Sequence, residues 1–210
     1  MKKLFYVAFI ATLVAIGCEK NNEESIITNI NDNYEINTNE LHYTSSDGEI
    51  ITPINHGDGF GGKATIVSNT YRNGIGVIVF DKPITKIATE AFCNYKRLTG
   101  IKMPLTVKSI ETAAFHDCSL SEIIIPDSVN RISIMFDQMP QLSKIYCKPT
   151  TPPTLGNSYG QSYNIFTDIA EDAKIYVPVE SLELYKKANN WSEYINMIVP
   201  FDYEKWDICE

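Results

Sequence analysis

The stretch ITKIATEAFCNYKRLTGIKMP, from Ile84 to Pro104, recurs in altered form as VKSIETAAFHDCSLSEIIIP from Val107 to Pro126 and as VNRISIMFDQMPQLSKIYCKP from Val129 to Pro149. The offset is 22 to 23 residues. A fixed period of that size marks a chain built from stacked supersecondary units, none of which buries its apolar face alone. Matched positions fall at Ile84, Val107 and Val129; at Ile87, Ile110 and Ile132; at Phe92, Phe115 and Phe136; at Leu98, Leu120 and Leu142; and at Ile101, Ile123 and Ile145. Each set is expected to stack as a ladder in one core. A longer fourth turn runs from Pro152 and Pro153 through Phe166 to AKIYVP, where Ala173, Ile175 and Val177 restore the strand pattern. Ahead of the first unit, GVIVFDKP supplies one more strand with Ile78 and Phe80 inward.

Within each unit, TGIKMP and SEIIIP alternate as a strand with one buried face, and the following Pro cannot donate to a ladder, so it turns the chain out of the sheet. Short helical turns such as ETAAF are expected to form the opposite wall. The order L-x-x-I-x-I-P, then V-x-x-I, then A-F ahead of the next Leu resembles the BspA-like (type 5) leucine-rich repeat of bacterial surface proteins, over roughly residues 74 to 200. NELHYTSSDGEIITP resembles the usual opening hairpin of such domains, and IYVPVESLELYKKANNWSEY resembles their closing helix. The fold class expected is therefore α/β, a short leucine-rich-repeat solenoid of about three to four β-rich turns with an N-terminal β-hairpin cap and a C-terminal helical cap. The boundaries read as 40–82 for the first cap, 83–178 for the solenoid and 179–210 for the second cap.

Both caps have local signals. Leu41, Tyr43, Ile50 and Thr52 flank an SSDG turn, and ATIVSNTY and GVIVF flank RNG, which reads as two hairpins. Between Val179 and Ala188, Leu182, Leu184 and Tyr185 lie near helical spacing, with Trp191 and Tyr194 beyond to cover the last rung.

The chain opens MKK, followed by the apolar run LFYVAFIATLVAI from Leu4 to Ile16 and then Gly17 and Cys18, the layout of a secretory signal over residues 1–17. The run is too short to span a bilayer, which takes roughly 20 apolar residues. AIGC resembles the lipobox of bacterial lipoproteins, with Ala15 where that motif usually has Leu. The resemblance implies that Cys18 carries acyl chains, each buried CH2 contributing about 0.8 kcal/mol of membrane affinity. Residues 18–39 are Asn-rich and acidic, with too little apolar surface to order themselves, and read as a disordered tether. Glu19, Glu23 and Glu24 resemble the acidic signal that sends some Gram-negative lipoproteins outward, which implies a lipid anchor at the outer membrane with the domain exposed at the cell surface.

The 210 residues are 44% apolar and 21% charged, enough for a globular fold. With 18 basic against 26 acidic side chains the net charge is -8, and removal of a leader carrying Lys2 and Lys3 makes it -10. Such a balance argues against nucleic acid, whose binders rely on clustered Lys and Arg.

Several motifs imitate catalytic ones. GDGFGG, from Gly57 to Gly62, fits G-x-G-x-x-G, but a strand-like ATIV follows where a phosphate loop needs a helix N-terminus, so it reads as a flexible loop between hairpins. GNSYG, from Gly156 to Gly160, fits the nucleophile elbow, yet no His follows Ser158. His116 and Cys118 lack a second close pair to complete a zinc set. Cys147 aligns with Met103 and Ile125 and is expected to be a buried small hydrophobe, whereas Cys118 falls at a turn, so Cys93, Cys118, Cys147 and Cys209 form no regular disulfide framework. No cofactor or metal site is expected, and no enzyme.

The function expected is recognition by a surface-anchored, non-catalytic domain, the resemblance implying protein binding or adhesion with an unknown protein ligand, host or matrix. The alternative is glycan binding through exposed aromatic side chains. If Ile78, Ile101, Ile123, Ile145 and Ile175 point inward, period two places Val79, Lys102, Ile124, Tyr146 and Tyr176 on the outer face, one rung apart, as the candidate partner-binding stripe.

Overall fold

The computed structural model describes residues 36–54, 59–133, 136–156 and 165–206. Twelve strands occur among them: β1 (Glu40–Ser45), β2 (Ile66–Arg72), β3 (Ile75–Phe80), β4 (Lys86–Ile87), β5 (Leu98–Lys102), β6 (Ser109–Ile110), β7 (Glu122–Ile125), β8 (Arg131–Ile132), β9 (Lys144–Cys147), β10 (Thr154–Leu155), β11 (Lys174–Pro178) and β12 (Ile198–Phe201). Two short helices follow β11 and β12, α1 (Leu182–Lys187) and α2 (Tyr203–Trp206). The strands form three four-stranded sheets, in the orders β2-β3-β1-β5, β10-β8-β6-β4 and β12-β11-β9-β7.

The last two sheets are parallel, and they translate the repeat directly into rungs. Ile123, Ile145, Ile175 and Ile198 share one register across β7, β9, β11 and β12. Ile87, Ile110, Ile132 and Leu155 share another across β4, β6, β8 and β10. All eight are buried, as are Leu98, Leu120 and Leu142, in one continuous apolar core. Ile101 is also buried, but it sits opposite Tyr43 in the first sheet.

The wall opposite the long strands differs from the helical turns expected from ETAAF. No helix forms there; residues 112–117 are hydrogen-bonded turns. Glu90 and Ala113, at equivalent places in successive units, both take left-handed backbone, as do Asn94, Asp117, Gln138 and Asp168 further along. Each such residue reverses the chain before an α-helical turn can close, and the freed amides bond to the next rung instead. Glu90 N–H donates to the Thr112 carbonyl, Phe92 N–H to Ala114 and Asn94 N–H to His116. Phe92 and Phe115 stack at 5.7 Å and 11°, and Phe136 and Phe166 at 5.4 Å and 5°, so the aromatic positions line this wall from inside.

The N-terminal region corrects one of the two expected hairpins. The RNG hairpin forms, β2 and β3 pairing antiparallel about Asn73 and Gly74 at positive φ. The SSDG hairpin does not. Both edges of β1 are taken, one by β3 and the other by β5, which leaves residues 50–52 no ladder to join. Asp47 folds the chain back on itself there: its carboxylate accepts from the Ser45 hydroxyl and the Glu49 amide and pairs with Arg97 at 3.0 Å. These contacts hold its carboxyl at about 2, below the usual carboxylate range.

At the other end, Tyr185 and Trp191 are fully buried, the Tyr185 hydroxyl donating to the Pro149 carbonyl at the end of the third unit and the Trp191 indole to the Pro153 carbonyl at the start of the fourth turn, each at 2.7 Å. Leu184, grouped with Leu182 and Tyr185 by its spacing, is 57% exposed, because one residue of helix rotation carries it away from Tyr185.

Candidate functional site

The outer face of the β7-β9-β11-β12 sheet is set by the alternation that buries its isoleucines. With Ile123, Ile145 and Ile175 inward, the next residues Ile124, Tyr146 and Tyr176 face out in one register and are half-buried. Val199 continues the row on β12 opposite Tyr176. The two tyrosine rings stack face to face, 4.8 Å apart and 19° from parallel, at the spacing of adjacent strands.

Two further aromatic residues join them that the sequence reading missed. Phe201, at the end of β12, meets both tyrosines edge-on at 5.4 and 5.5 Å, and Tyr203 packs on Phe201 at 4.8 Å. The Tyr203 hydroxyl donates to the Tyr176 carbonyl at 2.9 Å, and the Lys148 ammonium lies 5.6 Å from the Tyr203 ring centre. Burial raises the phenol pKa of Tyr203, and that of Tyr176 rises through burial, then the charges of Asp172 and Glu122. The phenols therefore stay protonated at neutral pH, and Tyr203 uses its donor on the Tyr176 carbonyl. A groove of about 430 Å³ runs beside this cluster, lined by Asp127, Lys148, Pro178, Glu180, Phe201 and Tyr203 among others.

Of the five stripe residues expected, Ile124, Tyr146 and Tyr176 lie together in one row. Lys102 is half-buried on β5, opposite His42 of β1, with a cavity of about 70 Å³ shared by Lys102 and Ile124 where β5 and β7 adjoin. Val79 is a correction. The antiparallel β1 lies between β3 and β5, and its register sets Val79 beside Glu40, while Val77 and Lys102 flank His42. Val79 is therefore neither one rung from Lys102 nor in line with it. Cys18 and Cys209 lie outside the described residues, as do Ser158 and the end of the GNSYG motif.

The remaining motif residues have structural partners. From the GDGFGG segment, Phe60 is fully buried against Phe80 at 4.8 Å, and Gly61 packs so closely on Thr85 that a Cβ would lie 2.0 Å from its hydroxyl oxygen. This part of the segment is an anchored turn, correcting the flexible loop expected, and it leads into strand β2. His116 Nδ1 pairs with Asp137 at 2.5 Å. Cys147 is buried as expected, but Cys118 is buried too, its Sγ donating to the Phe92 carbonyl at 2.9 Å. Burial pushes both thiols up to about 12, which leaves them protonated and unreactive at neutral pH.

Residues 65–171 match the model of the BspA type leucine rich repeat region, in six copies. The chain belongs to this family of leucine-rich-repeat proteins. No curated protein matches the sequence.

Proposed function

We propose that the chain is a non-catalytic recognition protein, a short solenoid of three to four turns capped by residues 40–82 and 179–210, whose outer sheet face docks a protein partner. Its family supports this reading, since leucine-rich repeats are generally non-catalytic and BspA-type repeats often serve protein binding or adhesion. The observation that carries it is the half-exposed row Ile124, Tyr146 and Tyr176, extended by Phe201 and Tyr203 into a patch of the composition that anchors protein interfaces. Ring orientation favours protein over glycan. A sugar stacks on an open aromatic face, and here Tyr146 and Tyr176 spend faces on each other while Phe201 closes over both. What remains for a partner is ring edges and hydroxyls.

Cross-linking on intact cells is expected to trap a partner with the native chain and several-fold less with Tyr146→Ser plus Tyr176→Ser. The double substitution should lower Tm by no more than about 5 °C, because both side chains lie outside the main core. Unchanged trapping, or loss of the folded state, would show that the row is structural.

The domain is held at the outer membrane of a Gram-negative cell, facing outward, by acyl chains on Cys18, with the following residues as tether. The apolar run ending in Gly17 and Cys18 supports this. Cys18→Ser is expected to move the protein from the membrane pellet to the soluble fraction and to abolish incorporation of labelled palmitate. Retention of both in the variant would refute the anchor.

A further inference from the structure

Natural proteins close or blunt the margins of their sheets, because an unpaired strand recruits another. Five of the six margins of the three sheets are treated in that way. Those of β5 and β7 adjoin, Ser119 N–H ahead of β7 donating to the Leu98 carbonyl of β5 at 3.1 Å. At β4 the Phe60 carbonyl takes the Thr85 and Lys86 amides, and at β10 the Trp191 indole and the Asn190 side-chain amide cover the Pro153 and Leu155 carbonyls. On β12, Ile175 N–H reaches the Met197 carbonyl, so alternation turns Pro200, which has no N–H, to the free side. The sixth margin is β2, at seven residues the longest of the described strands, with no proline and no cover among the described residues. Its Ser68, Thr70 and Arg72 are exposed, and Val67 at the bulge is 61% exposed.

The two-residue Asn73-Gly74 turn fixes which backbone groups face that margin. Arg72 and Ile75 close the turn as a hydrogen-bonded pair, so Thr70 bonds to Val77 and Ser68 to Val79, while Asn69 and Tyr71 turn their N–H and C=O groups away from β3. Two further bonds agree with this parity, Asp81 N–H to the Thr65 carbonyl just ahead of β2 and Phe80 N–H to the Asn39 carbonyl just ahead of β1. The four groups so exposed are self-complementary. Turned about a twofold axis at Thr70, a second β2 runs antiparallel to the first and sets its Tyr71 opposite Asn69 and its Asn69 opposite Tyr71, so every one of these groups is paired. An axis at Asn69 sets Tyr71 against the bulged Val67, and an axis at Tyr71 sets Asn69 against Asn73 in the turn, so neither pairs them all. Charge agrees with the same choice. Arg72 is the one charged residue of β2, and about Thr70 it faces Ser68 of the second copy, the two Arg72 Cα atoms lying roughly 14 Å apart.

We infer that β2 is a homodimer edge, pairing antiparallel with β2 of a second copy about Thr70 to join the two first sheets into one. Strand β2 carries no residue of the docking row, so this pairing stands independently of that reading.

Sedimentation of the full-length chain in detergent is expected to show a concentration-dependent dimer. Thr70→Lys sets two ammoniums at directly opposed positions and is expected to raise the dissociation constant at least ~10-fold. Thr151→Lys, the same added charge at an exposed position away from β2, is expected to change it less than ~2-fold. Oxidation reads the register. Opposed Thr70 residues form a non-hydrogen-bonded pair with Cα atoms about 4.5 Å apart, within disulfide reach, whereas the two Ser68 residues lie roughly 14 Å apart on the same face. Thr70→Cys is therefore expected to give a disulfide-linked dimer above the background of the native chain, and Ser68→Cys is not. Melting curves establish that each variant is folded, and Thr70→Glu replaces Thr70→Lys if that one is not. A chain that stays monomeric, a dimer that Thr70→Lys leaves intact, or equal linking through Thr70→Cys and Ser68→Cys would overturn the inference. So would a monomeric chain whose Thr70→Cys variant captures a different protein, since the edge would then serve a foreign strand.

Discussion

Phe115→Ala is expected to lower the melting temperature by about 6 to 20 °C, the consequence of removing about 3 to 5 kcal/mol from a fold of this size. Phe115 is completely buried and lies flat on Phe92, 5.7 Å away, in the wall opposite the long strands. That wall contains turns, not helices, so few regular hydrogen bonds would hold it if its apolar filling were lost. Its backbone bonds alternate between turns closed within one unit, such as Ala114 N–H to the Glu111 carbonyl, and links from rung to rung, such as Phe92 N–H to the Ala114 carbonyl beside Phe115. A cavity there loosens two units at once, because each unit is stabilised mainly by its neighbours. A domain holds only about 5 to 15 kcal/mol in total, so the variant should also show a broadened transition. Leu184→Ala, at a 57% exposed position, is the control and should shift Tm by no more than about 2 °C. Calorimetry reads both, and a Phe115→Ala shift as small as that of the control would mean that the aromatic wall does not carry the core.

What could be read in advance follows from how each feature is encoded. Ile87, Ile110 and Ile132, or Ile123, Ile145 and Ile175, recur at a fixed spacing, and a parallel stack converts sequence period into spatial register with no further information. The outward row at Ile124, Tyr146 and Tyr176 follows from the same alternation. Features that depend on pairings distant in sequence were hidden. Insertion of β1 between β3 and β5 matches Tyr43 with Gly76 on one side and Ile101 on the other, and that choice displaces Val79 from the row and dissolves the hairpin anticipated at Ile50 and Thr52. Strand β12 is four residues long, too short to display a period, so Phe201 and Tyr203 became visible as part of the aromatic patch only once Ile198 was seen beside Ile175. The left-handed residues Glu90 and Ala113 are invisible for another reason: neither residue type favours that conformation, and only the surrounding rungs impose it.

Gly76→Ala should be among the most destabilising single substitutions available, at about 3 kcal/mol or more, although a glycine at the start of a strand looks replaceable. Tyr43 lies directly opposite Gly76 in the β1-β3 ladder, and its ring covers the glycine so closely that an added Cβ would fall 2.1 Å from Cζ and 2.3 Å from both Cε atoms. The ring has no easy retreat. It is fully buried, its hydroxyl donates to Asn69 Oδ1 and accepts from the Ile51 amide, both at 3.0 Å, and Asn69 in turn donates to the Ile51 carbonyl at 2.9 Å. Moving the ring by the ångström or more that a methyl group requires breaks the first two of these bonds inside the core, where an unmade hydrogen bond costs about 1 to 3 kcal/mol, on top of about 1 to 3 kcal/mol for overpacking. The steric origin makes a specific signature in a double-mutant cycle. In a Tyr43→Ala background the ring is gone, and Gly76→Ala should then be nearly neutral, so the two substitutions together cost far less than their sum. Urea unfolding of the four proteins measures the coupling. Additive effects, or a Gly76→Ala variant as stable as the native chain, would show that the Tyr43 ring does not occupy the space above Gly76.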